Sequence, residues 1–165
     1  FKEKVFDLII SNYYLHFSNN FDLLLNNINY SLNDNGFFIA TLPGSSTLPE
    51  LKNSMIEADI EMYGGAYRRF MELYSIEKIN DLLKKNNFKD PVIERDVLKF
   101  NYNNLYDLLG DLRYMGNSNT YCDRKSTFEN KNYFKKVENI YCKKYSNNKK
   151  LIAKIEVIYI SGWKN

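Results

Sequence analysis

No glycine-rich ligand-binding signature occurs in these 165 residues: there is no GxGxxG, no GxGxG and no P-loop. A doubly wound α/β fold normally opens with a strand and such a turn, so the part of the fold that grips a nucleotide-type ligand is missing from this chain. Cysteine is scarce too. Cys122 and Cys142 stand apart, without CxxC spacing or a companion histidine, which points to a reduced compartment and against a structural zinc site. His16 is the single histidine, hence the one side chain whose ordinary pKa lies near neutrality. No apolar run approaches the ~18 residues that span a bilayer, and no signal or transit peptide is visible. The net charge of +3 does not by itself imply a nucleic-acid partner. The chain opens at Phe1, directly ahead of an apolar run, and a preceding segment is expected.

What is abundant is asparagine, with 23 residues, accompanied by lysine, tyrosine and isoleucine. Beneath that bias the apolar residues keep clear periods. Val5 to Ser11 is a short, β-branched-rich run that suits a strand buried on both faces, with Asp7 the exception. Phe21, Leu24, Leu25, Ile28 and Leu32 then recur at helical spacing, and Asn33-Asp34-Asn35-Gly36 stops the helix, Gly36 being suited to a left-handed cap. Phe37 to Leu42 reads as a strand. A second helix starts near Pro49 with Ser46 or Thr47 as cap, and a third follows Ser75. Two extended pieces, Val92 to Arg95 and Val97 to Tyr102, are divided by a turn or bulge at Asp96. Helices around Leu105–Met115 and Phe134–Tyr141 and a long strand over Leu151–Trp163 complete the pattern. The alternation argues an α/β fold in one partial domain over 1–165.

Five stretches together resemble a known family. Phe6-Asp7-Leu8-Ile9-Ile10-Ser11-Asn12 with Leu15-His16-Phe17 resembles the fourth-strand motif of class I methyltransferases, and Ser31-Leu32 to Phe37-Phe38 the approach to their fifth strand. Thr47-Leu48-Pro49-Glu50-Leu51 resembles a segment shared by malonyl-carrier-protein O-methyltransferases and a mitochondrial complex I assembly factor. Asp111 to Asn119 with Arg124-Lys125, and Tyr159 to Lys164, resemble the assembly-factor branch. The order and spacing agree along nearly the whole chain, which is similar to the complex I assembly methyltransferase-like family.

That resemblance implies the carboxyl part of a Rossmann-like class I methyltransferase fold, a fragment without the N-terminal cofactor-binding strands. It implies S-adenosylmethionine as the intact protein's cofactor and modification of a protein substrate, a complex I subunit, as its task. Its mitochondrial member is associated with arginine hydroxylation. The alternatives are carboxyl methylation of a carrier-bound acid, and a non-catalytic assembly or scaffold role. Location is mitochondrial if the source is eukaryotic, which the asparagine excess suits, and cytoplasmic otherwise. The chain alone is expected to bind S-adenosylmethionine weakly or not at all. Its Val5–Ser11 strand is expected to leave an apolar edge open, through which copies could self-associate.

Ligands of open α/β sheets bind beyond the carboxyl ends of the strands. Ser11 and Asn12 are therefore candidates for cofactor contact, and His16 for a general base; the competing reading of His16 is a packed or capping residue. Pro43 and Gly44, with Ser45 and Ser46, form a loop that either admits substrate or simply connects two elements. Arg113, Asn117, Ser118 and Asn119 are either a substrate-facing lid or turn-forming residues after Gly116. Arg68 and Arg69 could hold a carboxylate or phosphate, although a solvated helix end explains them as well. The Tyr, Phe and Lys residues from Tyr133 to Lys150 read as a buried face and a solvated face rather than a nucleic-acid surface. No metal site is expected.

Overall fold

The computed structural model describes residues 2–116 and 129–165. In chain order the elements are β1 (Phe6–Asn12), a single 3₁₀ turn (Leu15–Phe17), α1 (Phe21–Ser31), β2 (Leu32–Pro43), α2 (Pro49–Tyr63), α3 (Ile76–Lys85), β3 (Phe88–Tyr102), α4 (Leu105–Tyr114), α5 (Lys131–Tyr145), β4 (Ser146–Asn147) and β5 (Lys150–Lys164). They divide into two compact units, two of whose four boundaries fall inside the long strands β3 and β5. The first comprises 1–47, 73–98 and 156–165, the second 48–72 and 99–155.

In the first unit the strand order is β1-β2-β5-β3. β1 and β2 are parallel and joined through α1, the βαβ arrangement that the spacing of the apolar residues predicts, whereas β2 and β5 are antiparallel. Phe21, Leu25 and Ile28 on α1 and Ile79, Leu82 and Leu83 on α3 pack with Phe38, Ala40 and Leu42 of β2 and Ile158 and Ile160 of β5. Each of the Leu, Ile and Phe side chains contributes roughly 1.5–3 kcal/mol through burial. Asn20 caps α1 by accepting from the Leu23 amide, and Ser75 caps α3 by accepting from Lys78. Ser75→Ala is expected to cost about 1 kcal/mol in a denaturant titration.

The α1–α3 contact is reinforced by Asp22, which accepts from Lys85 and, at 2.8 Å, from Asn86 Nδ2. The Lys85 hydrogen bond, then that of Asn86, holds the Asp22 carboxyl below its usual range. A depressed folded-state pKa stabilises above the ordinary aspartate value, about 4, and that stability is lost as pH falls from there through the lower folded-state value. Acid unfolding curves should therefore become shallower in Asp22→Asn.

Three sequence expectations are corrected here. β1 is not buried on both faces. It is the sheet's edge, with Ile9 packed against the core while Phe6, Leu8 and Ile10 face outward, Ile10 being 67% exposed. Gly36 does not cap α1, because β2 starts at Leu32 and the left-handed residue is Asn35 (φ 62°). What Gly36 supplies is room, since a Cβ there would stand 2.8 Å from the Asn33 carbonyl oxygen. Asp96 interrupts nothing, and β3 runs unbroken for 15 residues.

The second unit is built on α2, α4 and α5 with the start of β5. Leu51, Met55 and Ala58 of α2, Leu105 and Leu108 of α4, and Tyr133, Val137, Ile140 and Tyr141 of α5 form its core with Leu151 and Ala153. Neither Ser46 nor Thr47 caps α2: its N-cap is Leu48, left-handed at φ 53°, without a side-chain bond. β4 pairs with the first residues of β5 in a tight hairpin.

Candidate functional site

The carboxyl ends of the parallel pair β1 and β2 lie together in the first unit. Strand register sets Ser11 beside Ala40 and Asn12 beside Thr41. Beyond Asn12 the chain turns through Tyr13 in a left-handed conformation (φ 53°), a strained geometry for a bulky residue. Two bonds hold it there. The Tyr13 amide donates to the Thr41 carbonyl at 2.9 Å and to Thr41 Oγ1 at 3.1 Å, while that hydroxyl donates onward to Asn12 Oδ1. The 3₁₀ turn follows, and it places His16 inside. His16 is 5% exposed, with its ring 4.1 Å from that of Phe17 and 5.8 Å from that of Tyr13, centroid to centroid. Burial pushes the Tyr13 phenol upward.

At the end of β2 stands a carboxylate that sequence reasoning missed. Glu156 of β5 is 3% exposed and lies under the turn 44–47. The Ser46 amide donates to its Oε2 at 2.8 Å, and the Gly44 amide to its backbone oxygen at 2.9 Å. The Thr47 hydroxyl donates to that same oxygen and accepts from the Glu156 amide. Arg95 on β3 reaches the other carboxylate oxygen at 3.6 Å. Glu156 thus ties the turn to two strands. The signal was legible in principle: Glu156 is the one carboxylate within the apolar run Ile155 to Ile160.

This turn holds no anion through its backbone. Ser45 donates its amide to the Tyr74 carbonyl and Thr47 to that of Gly44, so all four amides from Gly44 to Thr47 are consumed internally. What remains toward solvent is the exposed Ser45 and Ser46. Pro43 and Gly44, the predicted substrate contacts, are buried.

The second unit carries its own charged cluster. Asp59, with a fully buried side chain, receives Arg69 Nε at 2.8 Å and Nη2 at 2.5 Å, and Arg69 Nη2 also meets Glu129 at 2.6 Å. The guanidinium lies 4.4 Å over the Tyr133 ring, and Tyr63 donates to Glu129. Burial opposes the charge on Arg69, but the hydrogen bonds it donates to Asp59 and Glu129 outweigh that and drive its pKa upward, while burial raises the Tyr133 phenol. Arg69 is thereby committed within the fold, and the solvated-end reading of it does not hold. Arg68 is half exposed, 3.8 Å from Glu72. Arg113 is exposed in the last turn of α4, and Asn117, Ser118 and Asn119 lie outside the described residues. Among the described residues no group of three His, Cys, Asp or Glu could hold a metal ion, and no helix is long and apolar enough to cross a membrane.

No protein-family model matches the chain. Curated proteins do. The mitochondrial arginine-hydroxylase NDUFAF5 of Dictyostelium discoideum is 34% identical over 98% of this chain, which spans 37% of that protein. The malonyl-[acyl-carrier protein] O-methyltransferase of Legionella pneumophila is 28% identical over 99% of the chain, which spans 56% of it. Among solved structures, a candidate methyltransferase of Bacillus halodurans superposes with a TM-score of 0.58 at 11% identity, covering 99% of this chain and 72% of that one. Along nearly its whole length the chain is similar to proteins of the class I methyltransferase-like family. The mixed sheet, with β1 and β2 parallel and β5 antiparallel, is a part of that Rossmann-like fold.

A class I methyltransferase-like protein implies S-adenosylmethionine, which offers a carboxylate, an ammonium, ribose hydroxyls and adenine. Ser11, Thr41 and the Asn12 amide fit polar contact with hydroxyls, whereas the spent amides of 44–47 leave the carboxylate without a backbone cradle there. These residues therefore suit an edge of the cofactor and do not make a site for all of it.

Proposed function

We propose that this chain is the part bearing the β1 and β2 ends of a protein that uses S-adenosylmethionine and modifies a protein substrate in respiratory complex I assembly, in the mitochondrion. The observation that carries this reading is the 34% identity, sustained over 98% of the chain, to a mitochondrial arginine-hydroxylase. The stretches Asp111 to Asn119 and Tyr159 to Lys164 favour that branch over the carrier-protein methyltransferases. Ser11 and Asn12 are taken as cofactor contacts, and Pro43, Gly44, Arg113, Asn117, Ser118 and Asn119 as the substrate side. His16 is taken as the general base, and its burial against Tyr13 and Phe17 suits a ring held in one orientation.

The test is mass spectrometry of complex I subunits from cells with and without the gene. A one-oxygen gain on an arginine that depends on the gene supports hydroxylation. A methyl gain on a malonyl carrier treated with the purified full-length protein supports the second reading, which the Thr47 to Leu51 segment supports equally and to which the 28% identity to the Legionella enzyme adds. Neither mark, with complex I assembly still dependent on the gene, supports the scaffold. In the full-length protein, His16→Ala should reduce turnover at least tenfold if His16 acts as a base; unchanged turnover would remove it from that role.

A further inference from the structure

We propose that the lysine-rich face of α5 and the β4–β5 hairpin docks an acidic segment of a protein partner. Residues 131–154 hold eight lysines and a single acidic residue, Glu138, for a net +7, while the rest of the chain sums to −4. Such separation within a chain of small net charge is a feature of interaction surfaces. Within the segment three lysines are answered: Lys136 pairs with Glu61, Lys144 with Glu57 and Lys154 with Glu50. Among the described residues no carboxylate pairs with Lys131, Lys135, Lys143, Lys149 or Lys150.

Helical phase groups three of these. Lys131, Lys135 and Lys143 share the exposed side of α5 with Asn132, Asn139 and Cys142, opposite the buried Tyr133, Val137, Ile140 and Tyr141. The turn at Asn148 and Lys149, both left-handed, presents Lys149 and Lys150 just past the helix end. The helix dipole accounts for Lys143 and Lys144 in the last turn. It does not account for Lys131 and Lys135 at the other end, or for the hairpin pair. Repulsion among five unanswered ammonium groups is relieved by partner carboxylates.

The chemistry of the face selects the partner. No large apolar side chain is exposed between 131 and 154, which leaves no ring to stack on bases and no wedge for a bilayer. Nor does the segment contain arginine, the residue suited to bidentate phosphate recognition. Ammonium groups spaced along a helix match carboxylates spaced along another.

The test is equilibrium binding of the 165-residue chain to a labelled helical peptide with glutamate at every fourth position. Its glutamine counterpart, anionic phosphatidylglycerol vesicles and duplex DNA serve as competing probes. The glutamate peptide should bind in preference to all three and weaken with added salt. Replacing Lys135, Lys143, Lys149 and Lys150 by Gln should weaken it roughly tenfold. The same change at Lys2, Lys78, Lys84 and Lys89 alters net charge equally and should leave binding within about twofold. Should the fourfold variant melt early, K149Q/K150Q at the turn reads the same loss at smaller size. Equal effects of the two fourfold variants, or tighter binding to vesicles or DNA, would overturn the proposal.

Discussion

Gly44→Ala will destabilise the first unit by about 3 kcal/mol, a large effect for the addition of one methyl group. A Cβ at Gly44 would stand 2.2 Å from Glu156 Oε2, 2.6 Å from its Cδ and 2.8 Å from its Cγ. A surface glutamate would swing aside at little cost. Glu156 is almost fully buried, and its carboxylate accepts from the Ser46 amide, so moving it breaks that bond and strands a buried charge. The backbone cannot retreat either, because the Gly44 amide is bonded to the Glu156 carbonyl. Denaturant titration of both single variants and of G44A/E156A measures the coupling. Overlap with the carboxylate requires Gly44→Ala to cost at least 1 kcal/mol less in the E156A background, and strict additivity would refute that cause.

Arg69→Ala should cost the second unit about 3–5 kcal/mol, because it abandons a buried carboxylate. The Asp59 side chain is wholly buried and serves Arg69 Nε, Arg69 Nη2 and the Tyr67 amide, while Glu129 shares the same guanidinium. Arg69→Lys should recover less than half of the loss. An ammonium cannot make the paired donation to both Asp59 oxygens or lie flat over Tyr133. A melting temperature of Arg69→Ala within a degree of the parent's would refute the assignment, since that is what an exposed ion pair produces.

These two groups mark where sequence reading stopped. Arg69 stood out as half of an arginine pair but pointed outward, to a ligand or to solvent. Its true partners, Asp59 and Glu129, lie 10 and 60 residues away. Glu156 sat in plain view within an apolar strand. Its meaning depended on the 44–47 turn, more than a hundred residues earlier. No local period encodes either pairing.

The edge at β1 divides the same way. Its apolar, β-branched run identified a strand, and the family motif within it was legible residue by residue. Whether that run was covered depended on how many neighbours it had, and β2 pairs with only one of its sides. By itself the sequence determined the alternation of strands and helices, the cap at Ser75, and the resemblance to the family. All three are carried by residues close together in the chain or by their order along it. Only the tertiary structure decided that His16 is interior and that Glu156 and Arg69 are internal ties. Burial and ion pairing are properties of neighbours in space, and those neighbours are distant in sequence.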